Sequence, residues 1–272
     1  MNTQFLELAD GKLAYDDSGN NGPLVIMVPG MGDLRSEYRF VVPQFVAAGY
    51  RVVTVDLRGH GESSTGWPEY TVAAVGKDLL ALIEHLNAGP AVIVATSFSP
   101  GAAVWAAAEK PSAVSGLVLV GAFVRDAKTN PLQKAMVRVM LSNPWRVRTW
   151  DMFYKTLYPS QQPDDFEQYR QQLRANLSQP GRFDAVKAMG LASKSEAENR
   201  LGQVQTPSLV VMGSKDPDFS PPEAEAQFIA DSINGQVAMI EGAGHYPHAE
   251  MPEKFMQAVK EFLSEVTERH GA

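Results

Sequence analysis

Short apolar runs rich in β-branched residues recur along the chain: PLVIMVPG (23–30), YRVVTVDLRG (50–59), PAVIVATS (90–97), SGLVLVGA (115–122), SLVVMGSKD (208–216) and QVAMIEGAGH (236–245). Unbroken runs of this kind mark strands buried on both faces, the pattern of a parallel sheet. Between them, VAAVGKDLLALIEHL (72–86) and PGAAVWAAAEK (100–110) space apolar residues by three and four, which predicts helices lying on that sheet. Ahead of the first run, FLELADGKLAYDD predicts an antiparallel hairpin turned at Asp10-Gly11, because Asp-Gly supplies the positive φ of a tight turn. The alternation stops between 125 and 204, where helical periodicity and several prolines replace strand-like runs. The pattern therefore predicts an α/β core made of 1–124 and 205–272, interrupted by a helical lid over 125–204.

Composition narrows the function. With 272 residues and 44% apolar content, the chain can bury a full core without disulfides or a structural metal. It has no cysteine, which excludes thiolate catalysis and Cys-ligated zinc or iron–sulfur sites. The 24 Lys plus Arg against 31 Asp plus Glu leave a net charge of −7, and no basic run offers a footprint for nucleic acid or an anionic membrane. The longest apolar runs, such as Gly116 to Val124, are about half the ~20 residues that span a bilayer. The opening MNTQFLELADGK lacks a positive start and an apolar stretch, so no signal peptide and a cytoplasmic location are expected. Charge is unevenly distributed: 125–204 carries 13 basic and 8 acidic residues, and the remainder is strongly acidic. That difference could serve lid docking or the attraction of anionic substrates.

The residues for nucleophilic catalysis are all present. A serine nucleophile needs a base to take its proton, an acid to orient the base, and amide donors where the oxyanion forms. On a sharp strand-to-helix turn such a serine sits in G-x-S-x-G, because strained backbone and a close helix demand small neighbours. The matching place is Ala95-Thr96-Ser97-Phe98-Ser99, with Ala95 and Ser99 standing where the glycines would be. Ser99 is a rival, since Ser97-Phe98-Ser99-Pro100-Gly101 has a similar form. Pro100 after Ser99 has no N–H to give an oxyanion, whereas Phe98 after Ser97 has one. Pro100 instead suits the first turn of the following helix.

A second oxyanion donor is expected from the Met31 amide in VPGMGD (28–33). Gly30 and Gly32 fit equally well a tight strand-to-helix turn in which Asp33 caps the helix. For the base, His245 lies in a Gly-rich loop directly after the last apolar run, while His248 leads into a Pro252-Glu253 helix start and reads as structural. His60, His85 and His270 read as structural or exposed. For the acid, Asp216 in MGSKDPDF (212–219) is the first choice, with Asp218 and Asp126 as rivals and turn chemistry at Asp216-Pro217 as the bland alternative. The order Ser97, Asp216, His245, each after a strand-like run, is that of one known triad arrangement.

Through VPGMG, DLRGHGES, ATSFS, GSKDPDF and GAGHYPH, in that order, the chain resembles the α/β-hydrolase superfamily over nearly its whole length. The resemblance implies a mostly parallel eight-stranded sheet with helices on both faces, a helical cap after strand six, and a Ser97-His245-Asp216 triad needing no cofactor and no metal. DLRGHGES is a hallmark whose residues shape a loop near the site in relatives, so Asp56, Arg58 and His60 are given no catalytic role. Serine at the elbow argues against chemistry that uses an aspartate nucleophile.

The implied reaction is two-step acyl transfer on a small molecule. PWRVRTWDMFYKTLYP (144–159) gathers aromatic residues, of which Trp150, Phe153 and Tyr154 are candidates to cover an apolar acyl or alkyl group, although packing of the lid on itself explains most of them equally well. With Phe98 and Met31 at the nucleophile, a small or medium carboxylic ester is the expected substrate. The alternatives are a C–C bond hydrolase, a lactonase or a perhydrolase that acts as a cofactor-free haloperoxidase, each using the same triad, and a weakly catalytic small-ligand sensor, which sustained turnover would rule out.

Overall fold

The computed structural model describes residues 2–126 and 138–271, with side chains to 268. Eight strands form one sheet in the order β1-β2-β4-β3-β5-β6-β7-β8. The strands are β1 (Thr3–Leu8), β2 (Gly11–Asp17), β3 (Leu24–Val28), β4 (Arg51–Val55), β5 (Ala91–Thr96), β6 (Val114–Val120), β7 (Ser208–Gly213) and β8 (Gln236–Ile240). β1 and β2 are antiparallel, and β3 to β8 run parallel. Each apolar run of the sequence is one of these strands.

The hairpin forms one residue away from its expected position. Leu8 pairs with Gly11, so Ala9 and Asp10 make the turn and Gly11 already belongs to β2. Neither has a positive φ. Gly11 answers a different demand: a Cβ there would stand 2.8 Å from the Ser64 Cβ.

Every residue of β3, β5, β6 and β7 is buried, because helices cover both faces. Leu24, Ile26 and Val28 point to one side, against α2 (Val72–Leu86), α3 (Ser99–Glu109) and α8 (Pro222–Ile233). Val25 and Met27 point to the other, against α1 (Val42–Ala47) and α10 (Pro252–Gly271). α2 spans its predicted range; the Thr71 hydroxyl accepts the Ala74 N–H at its start, and Asn87 closes it in the left-handed region. Full burial of one such aliphatic side chain is worth about 1.5–3 kcal/mol, so the two facing layers dominate the stability of the core.

Between β6 and β7 the described residues form helices α4 (Arg146–Thr156), α5 (Phe166–Leu177), α6 (Arg182–Leu191) and α7 (Ser195–Glu198). Their aromatic residues make clusters of their own: Tyr154, Tyr158, Phe166 and Tyr169 pack with Tyr246, and Trp150 and Phe183 pack with Met31. Polar contacts join these helices to the rest. Arg39 donates to both oxygens of Asp165 at 2.6 and 2.7 Å, with its guanidinium 3.9 Å over the Tyr169 ring. No described helix is long and apolar enough to cross a membrane.

Candidate active site

Ser97 occupies the turn between β5 and α3 with φ of 62°. The left-handed region costs an L-residue roughly 1–2 kcal/mol. Among the described non-glycine residues only Asn87 and Asn234 share it, each closing a helix. Neighbouring backbone holds Ser97 there, since its N–H donates to Val120 O at 2.9 Å and its carbonyl accepts the Phe123 N–H at 3.0 Å. A Cβ at Gly30 would stand 3.1 Å from the Ser97 Cβ, so the loop after β3 approaches the serine closely. The rival Ser99 is buried, and its hydroxyl donates to Pro29 O at 2.6 Å.

His245 and Asp216 meet at the ends of β8 and β7. His245 Nδ1 is 2.8 Å from Asp216 Oδ2, and the other carboxylate oxygen of Asp216 accepts the Asp218 N–H at 3.0 Å. Asp218 itself stands farther off, at 3.7 Å from Nδ1. Asp126 is engaged elsewhere, accepting from the Ser193 hydroxyl and the Lys194 N–H. Burial, which alone would lower it, is outweighed by the Asp216 carboxylate, and the His245 imidazole is held up at about 9. Its Nε2 is buried with no hydrogen-bond partner among the described residues.

The remaining histidines separate clearly. His60 Nε2 accepts the Gly32 N–H at 3.0 Å while Nδ1 lies 3.0 Å from Arg58 O. That pair of contacts fixes a neutral ring with its proton on Nδ1, and burial pushes His60 down to about 4. His248 Nε2 lies 2.8 Å from Glu37 Oε1, beneath the same loop. His85 meets the Tyr15 hydroxyl at 3.1 Å, and the His270 side chain lies outside the described ones.

Three polar side chains shape the loop carrying Met31. Glu37, buried, accepts the Gly30 N–H at 2.8 Å, and burial pushes it up to about 7. His60 takes the Gly32 amide. Asp33 does not cap a helix, as the sequence suggested: Leu34 is the cap residue of the short 3-10 turn Arg35–Tyr38, and Asp33 accepts its N–H together with the hydroxyls of Tyr154 at 3.0 Å and Tyr169 at 2.5 Å. Burial and the nearby Glu37 raise Asp33 to about 7. Glu37 escaped the sequence reading because nothing local marks a residue whose partner is a backbone amide 7 positions away, and His60, read there as structural, gave no sign that its partner is the Gly32 amide 28 positions away. In the DLRGHGES loop, Asp56 accepts the Arg35 and Glu62 amides, and Arg58 is bidentate on Asp78.

Ser97, His245, Met31 and Phe98 all line one cavity of about 390 Å³. Its wall takes Trp150 and Phe153 from α4, with Phe123, Leu141 and Leu157. Tyr154, expected beside them, is instead fully buried behind the wall with its hydroxyl on Asp33, because it follows Phe153 by one residue, about 100° around the helix, and so meets the aromatic cluster rather than the cavity. No hydrogen bond to an acceptor among the described residues occupies the Met31 or the Phe98 amide. Asp216, Asp218 and His245 are the described grouping with metal-ligand proximity, but the imidazole nitrogen in that group is already paired with a carboxylate, an arrangement suited to orienting a base.

The chain belongs to the α/β hydrolase fold family, whose model matches residues 23–252. It is 31% identical over 271 positions to a Mycobacterium tuberculosis protein with the provisional name non-heme bromoperoxidase BpoC, covering 93% of this chain and 98% of that one. It is 25% identical over 277 positions to the 2-hydroxy-6-oxononadienedioate/2-hydroxy-6-oxononatrienedioate hydrolase of Paraburkholderia xenovorans, covering 96% and 95%. Among solved structures, a thermophilic esterase from Thermogutta terrifontis superposes with a TM-score of 0.79 at 25% identity, covering 98% of this chain and all of that one.

Proposed function

We propose that this protein is a serine hydrolase that forms an acyl-enzyme at Ser97 on a small or medium, mainly apolar carboxylic ester. The supporting observation is that a serine in the left-handed region and an imidazole with a buried, unpartnered Nε2 face one apolar cavity, while the imidazole's Nδ1 is bound to Asp216. In this reading His245 Nε2 takes the Ser97 hydroxyl proton as Oγ attacks the ester carbonyl. The amides of Met31 and Phe98 hold the oxyanion, each such donor being worth roughly 3 kcal/mol in comparable sites. The imidazolium, stabilised by Asp216, then protonates the departing alkoxide. Water, deprotonated by His245, attacks the acyl-enzyme and releases the acid, restoring Ser97. The helices between β6 and β7 act as a cap that excludes solvent from this chemistry and whose Trp150 and Phe153 bound the acyl site.

The test is turnover of p-nitrophenyl esters from acetate to decanoate by wild type and Ser97→Ala. Sustained turnover that disappears in the variant supports the reading, and the chain-length optimum measures the acyl site. Activity surviving in Ser97→Ala would remove Ser97 from the nucleophile role. A second reading, hydrolysis of a carbon–carbon bond beside a carbonyl, draws on the Paraburkholderia relative aligned along nearly the whole chain. It becomes the better one if no ester of any length is turned over but a vinylogous 1,5-diketone acid is.

A further inference from the structure

The wall of the cavity is mostly apolar; besides the hydroxyls of Ser97, Thr149 and Tyr246 it carries four basic or acidic side chains, Arg125, Lys194, Asp218 and His245. Three of them have partners of opposite sign. Arg125 Nε donates to Glu225 at 3.0 Å, its Nη2 bonds the other carboxylate oxygen, and its guanidinium lies 3.6 Å over the Phe228 ring. His245 is held by Asp216, and Asp218 lies against the same imidazole.

Lys194 is different. Its Nζ makes one hydrogen bond among the described residues, to Ala192 O at 3.0 Å, and it has no carboxylate within 4.0 Å among them. The undescribed stretch 127–137 contains no Asp or Glu that could supply one. Asp126, the acid whose charge acts on it, turns its oxygens to the Lys194 backbone N–H at 2.8 Å and the Ser193 hydroxyl at 2.6 Å. The ammonium lies 5.8 Å from the centroid of Phe98, the residue beside the nucleophile. Burial pushes the amine down, with Asp126 opposing, so the cation is partly stripped of water on a wall that is mostly apolar.

We propose that Lys194 is a carboxylate-binding subsite, selecting acyl substrates that carry an anionic carboxylate a few bonds from the reacting carbonyl. The inference rests on the serine-hydrolase reading and narrows its substrate class. A half-buried ammonium that spends one of its three N–H groups on Ala192 O gains a charge-assisted hydrogen bond from such a group and nothing comparable from an alkyl tail. The apolar wall covers the methylenes between the two ends, and the Phe98 ring fixes the side of the nucleophile on which the carboxylate lies.

The experiment compares the mono-p-nitrophenyl ester of adipic acid with p-nitrophenyl hexanoate, which share leaving group and chain length, on wild type, Lys194→Gln and Lys194→Arg. The wild type is expected to favour the anionic ester in kcat/KM. That ratio should fall about 10- to 100-fold in Lys194→Gln, the range of one hydrogen bond to a charged group, through a raised KM for the anionic ester, and should be largely kept in Lys194→Arg. A ratio that Lys194→Gln leaves unchanged overturns the proposal. If wild type turns over neither ester, the hydrolase reading fails, and the subsite is judged by calorimetric binding of adipate: weaker binding in Lys194→Gln supports it, whereas equal binding, or none to either protein, overturns it.

Discussion

His245 sits in a tug between burial and its Asp216 partner, and the partner prevails. Because the folded-state value, about 9, lies above the ordinary 6.5, the proton is bound more tightly in the native protein. Its contribution to stability is fully present below pH 6.5 and is lost as pH rises through about 9. In the proposed mechanism the base form is the active one, so kcat/KM should climb with pH to a midpoint above 6.5 and toward 9. In Asp216→Asn, burial is opposed only by the more distant Asp218 and Glu37: the midpoint should drop and the plateau should fall by roughly three to four orders of magnitude. A pH–rate profile of both proteins checks this, and a wild-type midpoint at or below 6.5 contradicts it. At this scale the sequence was informative where chemistry and chain order agree, as for Ser97, Asp216 and His245. It was silent on Glu37 and Lys194, whose significance lies in which distant groups surround them.

At the scale of elements, the loop after β3 is the decisive piece. Glu37 holds its Gly30 amide, His60 holds its Gly32 amide, and Asp33 ties it to Tyr154 and Tyr169. These contacts fix Met31 between two anchored residues, so the direction of its amide does not depend on any catalytic side chain. His60→Ala removes the acceptor for the Gly32 N–H and leaves that donor buried and unpaired. The expected result is a kcat lower by about 10- to 100-fold with KM close to wild type, as the oxyanion role proposed for the Met31 amide requires. Steady-state kinetics decide it; an intact kcat with a raised KM would assign His60 to substrate binding instead. Strands were legible because unbroken β-branched runs have few other uses. The hairpin turn was misplaced by one residue, since Gly11 lies in β2 rather than in the turn, close against the Ser64 side chain, and such a contact between residues far apart leaves no local trace.

Across the whole molecule, charge is sorted. The stretch 125–204 is basic within a chain of net charge −7, and part of that basic set is neutralised locally, as where Arg170 and Arg174 share Asp151. Lys194 on the cavity wall is not neutralised in this way. If the basic stretch draws anionic substrates inward, kcat/KM for the adipic monoester should decline several-fold between low and high ionic strength, because salt screens charges more than ~10 Å apart. The hexanoate ester should respond little, and parallel salt responses for the two esters would refute the steering. That this stretch is basic was plain from composition; that one lysine of it faces the cavity beside Phe98 required the fold, which brings together α7, α3 and the end of β6.

Ser97 is bent into a conformation that glycine would adopt at no steric cost. Heat tolerance and usefulness therefore pull in opposite directions at this position. A breeding programme that ranked descendants only by how much heating they survive would drift toward glycine there, gaining about 1 kcal/mol from that one change, and would end with a sturdier protein that had discarded the serine proposed as its nucleophile.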